Sequence, residues 1–412
     1  SYDSYRKFIT SDLQDSEKKD YLVKFNSKNT HSTYSNQSLV KRILKLRLQI
    51  ARLHGYNTFL EFKLSNSLFK NGTSLSKFIE SNLEDVYKAA KNELNVLNGN
   101  LYDWNLTKKI NDFNLKNKKN IDNEINLNFE EIKEILFRTA EVNFGITFKR
   151  ISLKTHHDSA LSYQAYKGEK NLGTIIFDIY QRKFKRSGNW MTLIQEPSTD
   201  KLPIVLCVTN VSHEKEFKSL KELKNILHEF GHCLHALLCD TQYPRLSAPM
   251  QTSFEMVEVP SKFMEILGTQ KQILESFIKP KKISAIINDE DNFKNVYLLH
   301  QFLQAQLDVN YHSISTEDEI DSLDLYKFEN KIFEKYSIVC NQKMSIKACD
   351  FRHIFYGGYS AGYYVYRLAD VVKNKLENDI FRNKNYTMEE YTEVFIKSNN
   401  LNSFQDYFKR LF

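Results

Sequence analysis

The apolar positions of this chain recur at helical spacing over most of its length, and the period shortens only in one middle segment. From Leu39 to Leu53, the residues Leu39, Val40, Ile43, Leu44, Leu46, Ile50, Ala51 and Leu53 follow a 3.6-residue rhythm, and Gly55 follows as a stop. Lys41, Arg42, Lys45 and Arg47 lie off that stripe, the pattern of a solvated helix face. A second helix is predicted from Leu75 to about Leu97, with Leu75, Phe78, Ile79, Leu83, Val86 and Leu94 turned inward. Asn105 to Asn128, crowded with Asn and Lys, reads as a polar loop or hinge. Phe129 to Phe144 returns to helical periodicity, and Gly145 stands where a left-handed residue ends a helix.

After Gly145, β-branched and aromatic residues gather in Lys149–Leu153, Ser162–Tyr166 and Thr174–Tyr180. Lys167-Gly168-Glu169 and Asn171-Leu172-Gly173 punctuate them, which predicts short antiparallel strands. Pro203 to Thr209, PIVLCVT, reads as a further buried strand, and from Ser219 onward the pattern is almost wholly helical. The expected fold is mainly α with a small antiparallel β-sheet. A helical N-terminal part, residues 1–145, would precede a larger domain, residues 146–412.

With 412 residues, 41% of them hydrophobic, the chain can bury a large core. No apolar run reaches the roughly 18 to 20 residues that cross a bilayer, and the opening SYDSYRKFITSDLQD is too polar for a secretory signal. The first residue is Ser rather than Met, so a processed form or a piece of something longer is expected. Five cysteines without a CxxC pair fit a reducing compartment. The net charge of +7 comes from 58 basic and 51 acidic residues that are interspersed. With no zinc-finger, dinucleotide-loop or RNA-binding signature, neither a nucleic-acid nor a membrane partner is expected.

The chemistry concentrates in Ser219 to Cys239, SLKELKNILHEFGHCLHALLC. Ser219 and Glu222 have capping-box spacing, and Leu223, Ile226, Leu227, Phe230, Leu234 and Leu237 give the helix an apolar face. One turn apart on it, His228 and His232 can reach one tetrahedral ion, and Glu229 can reach a water beside that ion without binding it. This is the H-E-x-x-H arrangement, for which about 0.04 chance matches are expected from this composition. Metzincins would require glycine at position 235 and histidine at 238; the chain has His235 and Leu238. A carboxylate from a later helix remains as third ligand, and SFEMVEVPSKFMEIL offers Glu255, Glu258 and Glu265. Glu258 is the chosen ligand, with Glu255, one turn earlier, as the group that orients an imidazole N–H. His235 reads as a structural histidine with satisfied hydrogen bonds.

These residues resemble the thimet oligopeptidase and oligopeptidase A family, which includes dipeptidyl carboxypeptidase and mitochondrial intermediate peptidase. His228 to His235 match its H-E-F-G-H-x-x-H signature, and Val257 to Ser261 its V-E-x-P-S segment, which also assigns Glu258 to zinc. His353 to Tyr366, HIFYGGYSAGYYVY, resembles the family's Gly-rich substrate loop and tyrosine pair. By that match His353, Tyr363 and Tyr366 would bind the scissile carbonyl or stabilise its oxyanion. Weaker similarities lie at Ile43 to Tyr56 and Phe177 to Trp190. The chain departs from the family at Glu255, where Asp is usual, in SAPMQTS after the catalytic helix, and in KRSGNW, which replaces a more Gly-rich run.

The resemblance implies a zincin-type metallopeptidase with a deep substrate channel between helical lobes, its N-terminal wall shortened and residues 146–412 forming the catalytic domain. One catalytic Zn²⁺, short peptide substrates, a monomeric state and a cytoplasmic location, or else a mitochondrial matrix one, are the matching expectations. Two alternatives are a catalytically silent truncated homologue and a dipeptidyl carboxypeptidase-type exopeptidase. A basic nucleic-acid-binding helical protein is a third, resting on charge alone.

Overall fold

A computed structural model of the chain describes every residue except 1–7, 9, 28, 31–34, 119–126, 212–215, 218, 240, 242, 245, 246, 250, 251, 277, 281, 282, 284–291, 341–345, 398–404 and 410–412. It forms two compact units, each built from separate stretches of sequence: Ser1–Asn120 with Asp291–Arg367, and Ile121–Glu290 with Leu368–Phe412. The sequence-based division at 145/146 cuts the chain once, whereas the units part at 120/121, 290/291 and 367/368.

The first unit is helical among the described residues. The predicted helix at Leu39 spans Gln37–Leu53 and buries Val40, Leu44, Leu48 and Ala51. Its basic face is not simply solvated. Lys41 donates to the Asp321 carbonyl at 2.9 Å, Lys45 pairs with the Asp321 carboxylate, and Gln49 reaches Glu317 at 2.9 Å, all on the acidic helix Glu317–Ser322. The helix predicted at Leu75 spans Gly72–Leu94 and packs along Lys294–His312. Glu93 accepts from the backbone N–H groups of Asn295 and Val296, donors that the first turn of a helix leaves without internal partners.

A correction falls at Leu106–Lys118, which is a helix rather than a loop. Its apolar contribution is sparse: Ile110 is buried, and Phe113 meets Phe293 edge-on at 5.5 Å. Lys108 bridges Asp12 and Asp112 at 2.8 and 3.0 Å. Tertiary contacts therefore hold a segment whose own composition favours coil. The rest of the expected loop, residues 119–126, lies outside the described residues.

The second unit places one mixed sheet beside the helices that carry the chemistry. The helix Phe129–Phe144 starts at Asn128, whose side chain and that of Glu131 cap each other's backbone N–H, and ends at Gly145 with φ +69°. It belongs with the sheet because Phe137 stacks on Phe148 at 4.3 Å and Phe129 meets Phe177 at 5.8 Å. The strands are β2 Ile146–Ile151, β3 Leu161–Lys167, β4 Lys170–Tyr180, β5 Trp190–Gln195 and β6 Ile204–Val211, in the order β2-β3-β4-β6-β5. Two short strands, β1 Leu127–Asn128 and β7 Glu216–Phe217, pair separately. The expectation of an antiparallel sheet is corrected at β4 and β6, which run parallel. Both are largely buried, so their alternation carries no directional signal. No described helix is long and apolar enough to cross a membrane.

Candidate metal centre

Ser219 caps the helix Leu220–Leu238, its Oγ accepting from the Glu222 N–H at 3.2 Å. Leu223, Ile226, Leu227, Phe230 and Leu234 are buried, and Phe230 lies against Phe148 and Phe177 of the sheet. That anchoring fixes the rotation of the helix and turns His228 and His232 to one side, their rings 5.0 Å apart and nearly perpendicular. The facing helix, Val259–Leu267, begins directly after Glu258 and has Pro260 in its first turn. A Cβ at Gly231 would lie 2.7 Å from Ser261 Cα, so a side chain there would push the two helices apart.

The Nε2 atoms of His228 and His232 lie 3.2 and 3.5 Å from Glu258 Oε2, and the three ligand atoms fall within 4.8 Å of one another. Donors held about 2.0 to 2.1 Å from a tetrahedral ion are separated by about 3.3 Å, so this donor set fits a zinc-sized cation. Behind His228, Nδ1 meets Glu265 Oε1 at 2.9 Å, and Lys262 stands 3.4 Å from the same oxygen. A carboxylate on the distal ring nitrogen leaves Nε2 free to ligate. Glu265 thus sits on an imidazole nitrogen; Glu255, expected to orient an imidazole, is buried and accepts from Ser253 Oγ at 3.2 Å.

Electrostatics divide the four groups. Burial disfavours charge on His228, yet the bonds to Glu258 and Glu265 overcome it and lift the ring to about 9 in the ion-free protein. Burial likewise opposes charge on Glu265, but the His228 bond and Lys262 draw it down to about 2. Glu258, also buried, is held well below the ordinary range by both imidazoles. Glu229 moves the other way: burial raises its pKa, only partly countered by His232, His228 and the Met191 N–H of β5. A carboxylate of raised basicity beside three ligating atoms suits proton transfer.

A model of peptidase family M3 matches residues 18–411. The chain belongs to this family. It is 25% identical over 381 residues to organellar oligopeptidase A, chloroplastic/mitochondrial, of Arabidopsis thaliana, covering 82% of this chain and 47% of that protein. To dipeptidyl carboxypeptidase of Escherichia coli it is 24% identical over 364 residues, covering 80% and 52%. The chain thus spans about half the length of these M3 relatives. In fold it is similar to oligoendopeptidase-F from Enterococcus faecium, with a TM-score of 0.52 and 13% identity, covering 100% of this chain and 64% of that one.

The third block that resembles the M3 pattern lies in the first unit. His353, Tyr363 and Tyr366 gather there, with ring centroids 5.6 Å apart for His353 and Tyr363 and 5.4 Å for the two tyrosines. Tyr359 stacks on Tyr366 at 5.0 Å, and Phe351 closes on Tyr363 at 5.1 Å. Burial raises the Tyr363 phenol, with Arg367 opposing, which keeps it a hydrogen-bond donor. His353 is exposed at the cluster's edge. His235 is corrected: it is fully buried, and neither ring nitrogen has a hydrogen-bond partner among the described residues.

Proposed function

We propose that the chain is a zinc-dependent peptide hydrolase of oligopeptidase type, with His228, His232 and Glu258 as metal ligands and Glu229 as general base. The observation that carries this reading is the convergence of both Nε2 atoms on one Glu258 oxygen, at tetrahedral donor spacing, beside a buried carboxylate of raised basicity. A zinc ion held there supplies Lewis acidity for water and for the scissile carbonyl. Glu229 takes the proton of the attacking water on its carboxylate and returns it to the departing amine nitrogen. Glu265 keeps His228 in the tautomer that presents Nε2. The resemblance of their loop to the family's substrate loop assigns Tyr363, with Tyr366 and His353, to the substrate's carbonyl oxygen, where a phenol can donate to developing negative charge. Short peptides are the substrates, and five cysteines with no CxxC pair support a reducing compartment, such as the cytoplasm or the mitochondrial matrix.

The test is zinc content together with peptide cleavage on this chain and its Glu229→Gln variant. Glu229→Gln is expected to retain zinc and lower kcat by about 10²- to 10⁴-fold. Equal cleavage by the variant and the wild type would remove Glu229 from the reaction.

A further inference from the structure

We propose that Asp308 is the positioning residue of the tyrosine loop: its carboxylate fixes the backbone at residues 361–363 and thereby sets the direction of the Tyr363 phenol. The inference rests on the reading that Tyr363 acts on substrate. Asp308 projects from the helix Lys294–His312 and is fully buried. Its Oδ1 accepts from the Ala361 N–H at 2.9 Å, and its Oδ2 from the N–H groups of Gly362 at 2.8 Å and Tyr363 at 2.9 Å. Three successive amides aimed at one carboxylate make an anion nest, a geometry that needs a left-handed residue, and Ala361 supplies it at φ +53°. Alanine adopts that conformation at a cost, so the charge-assisted bonds hold the chain in a shape it would otherwise leave.

The clamp is itself held from behind. His312 Nδ1 hydrogen-bonds the Asp308 main-chain carbonyl at 2.8 Å and lies 2.8 Å from Asp308 Oδ1, and Arg47 Nη1 lies 2.9 Å from His312 Nε2. A guanidinium only donates, so Nε2 accepts and the ring proton sits on Nδ1, directed at Asp308. The Arg47 guanidinium lies over the rings of Phe59 and Phe355, each at 5.6 Å. One of the three amides belongs to Tyr363 itself, so the clamp acts at the Cα from which the phenol projects.

The experiment combines kinetics with hydrogen exchange on Asp308→Asn, Tyr363→Phe and the double variant. An asparagine at 308 would turn its NH₂ toward one of the loop amides. Asp308→Asn is therefore expected to speed exchange at residues 361–363 at least about tenfold. It should lower kcat by about the same factor as Tyr363→Phe with KM little changed, and the double variant should fall no further than Tyr363→Phe alone. Unchanged exchange at 361–363, or losses that multiply in the double variant, would overturn the positioning role. Full activity of Tyr363→Phe would instead sink the role of the phenol, while exchange still decides the clamp. Should Asp308→Asn fail to fold, Arg47→Met removes the bond to His312 and the ring contacts with Phe59 and Phe355 while leaving Asp308 and His312 in place. A smaller rise in exchange and a severalfold fall in kcat are then expected, and no change in either counts against the proposal.

Discussion

An imidazole with two unpartnered nitrogens in the interior is costly, and His235 is such a residue among the described ones. Burial, and then the charge of His232, bring its pKa down from 6.5 to about 3. The folded chain thus keeps the ring neutral where the unfolded chain protonates it. Stability from this position is present above about pH 6.5 and is lost as pH falls toward the folded value. His235→Leu should raise stability by about 1 kcal/mol at neutral pH, because an apolar side chain leaves nothing unsatisfied. The gain should be larger at pH 5, and urea unfolding at the two pH values checks it. Equal or lower stability of the variant at both would mean that the ring has a partner. The candidate cluster of His228, His232 and Glu258 was legible because a four-residue spacing places the two histidines on one helix face. Glu265 was not singled out: it lies two turns beyond Glu258, so the helical repeat turns both toward the same side, but only the approach that Gly231 permits shows which carboxylate meets a ring. Asp308 and His312 left a weaker signal, because the helix Lys294–His312 also carries Gln301, Gln304, Gln306 and Asn310, and only burial singles the pair out.

Among the elements, β4 and the turn after it depend on one buried carboxylate. Asp178 accepts from Arg182 at 2.6 and 2.9 Å, from Lys185 at 3.0 Å and from His156 at 2.9 Å, and Lys185 also caps the Thr209 carbonyl at 2.7 Å. Burial opposes its charge, but these donors hold its pKa well below the ordinary range. A depressed carboxylate contributes fully above its unfolded pKa of about 4, and the contribution declines below it until pH has fallen through the folded value. Asp178→Ala strands Lys185, which is nearly buried, and should cost about 3 kcal/mol at pH 7. The difference from wild type should shrink near pH 3, as read by urea unfolding; a difference that stays constant with pH would show that packing, not charge, carries the effect. The turn leads into β5, whose Met191 N–H meets Glu229, so the same variant should also slow cleavage. Periodicity made Phe129–Phe144 legible to the residue because cap, stripe and glycine agree. It hid Leu106–Lys118, where Asn and Lys outnumber the apolar residues, and β5, an edge strand that is only half-buried. Strand direction in the sheet depends on connections that no local pattern records.

Over the whole molecule, some of the basic residues are engaged within the fold, since Lys41 and Lys45 meet the acidic helix Glu317–Ser322. That leaves the +7 charge a poor argument for an acidic partner. Membership of family M3 extends over both compact units, because the match runs from residue 18 to 411. It does not separate an oligopeptidase from a dipeptidyl carboxypeptidase, since relatives bearing both names align with similar identity. The ligand set and Glu229 cannot separate them either, because each chemistry needs the same water attack and the same proton transfer. What differs is whether the enzyme must hold the free carboxylate of the peptide's end. The oligopeptidase reading therefore predicts internal cuts in a short peptide, at similar rates for the free acid and its C-terminal amide, with products mapped by mass spectrometry. Successive release of dipeptides from the C-terminus, abolished by amidation, would instead assign the exopeptidase activity while leaving the proposed zinc chemistry untouched.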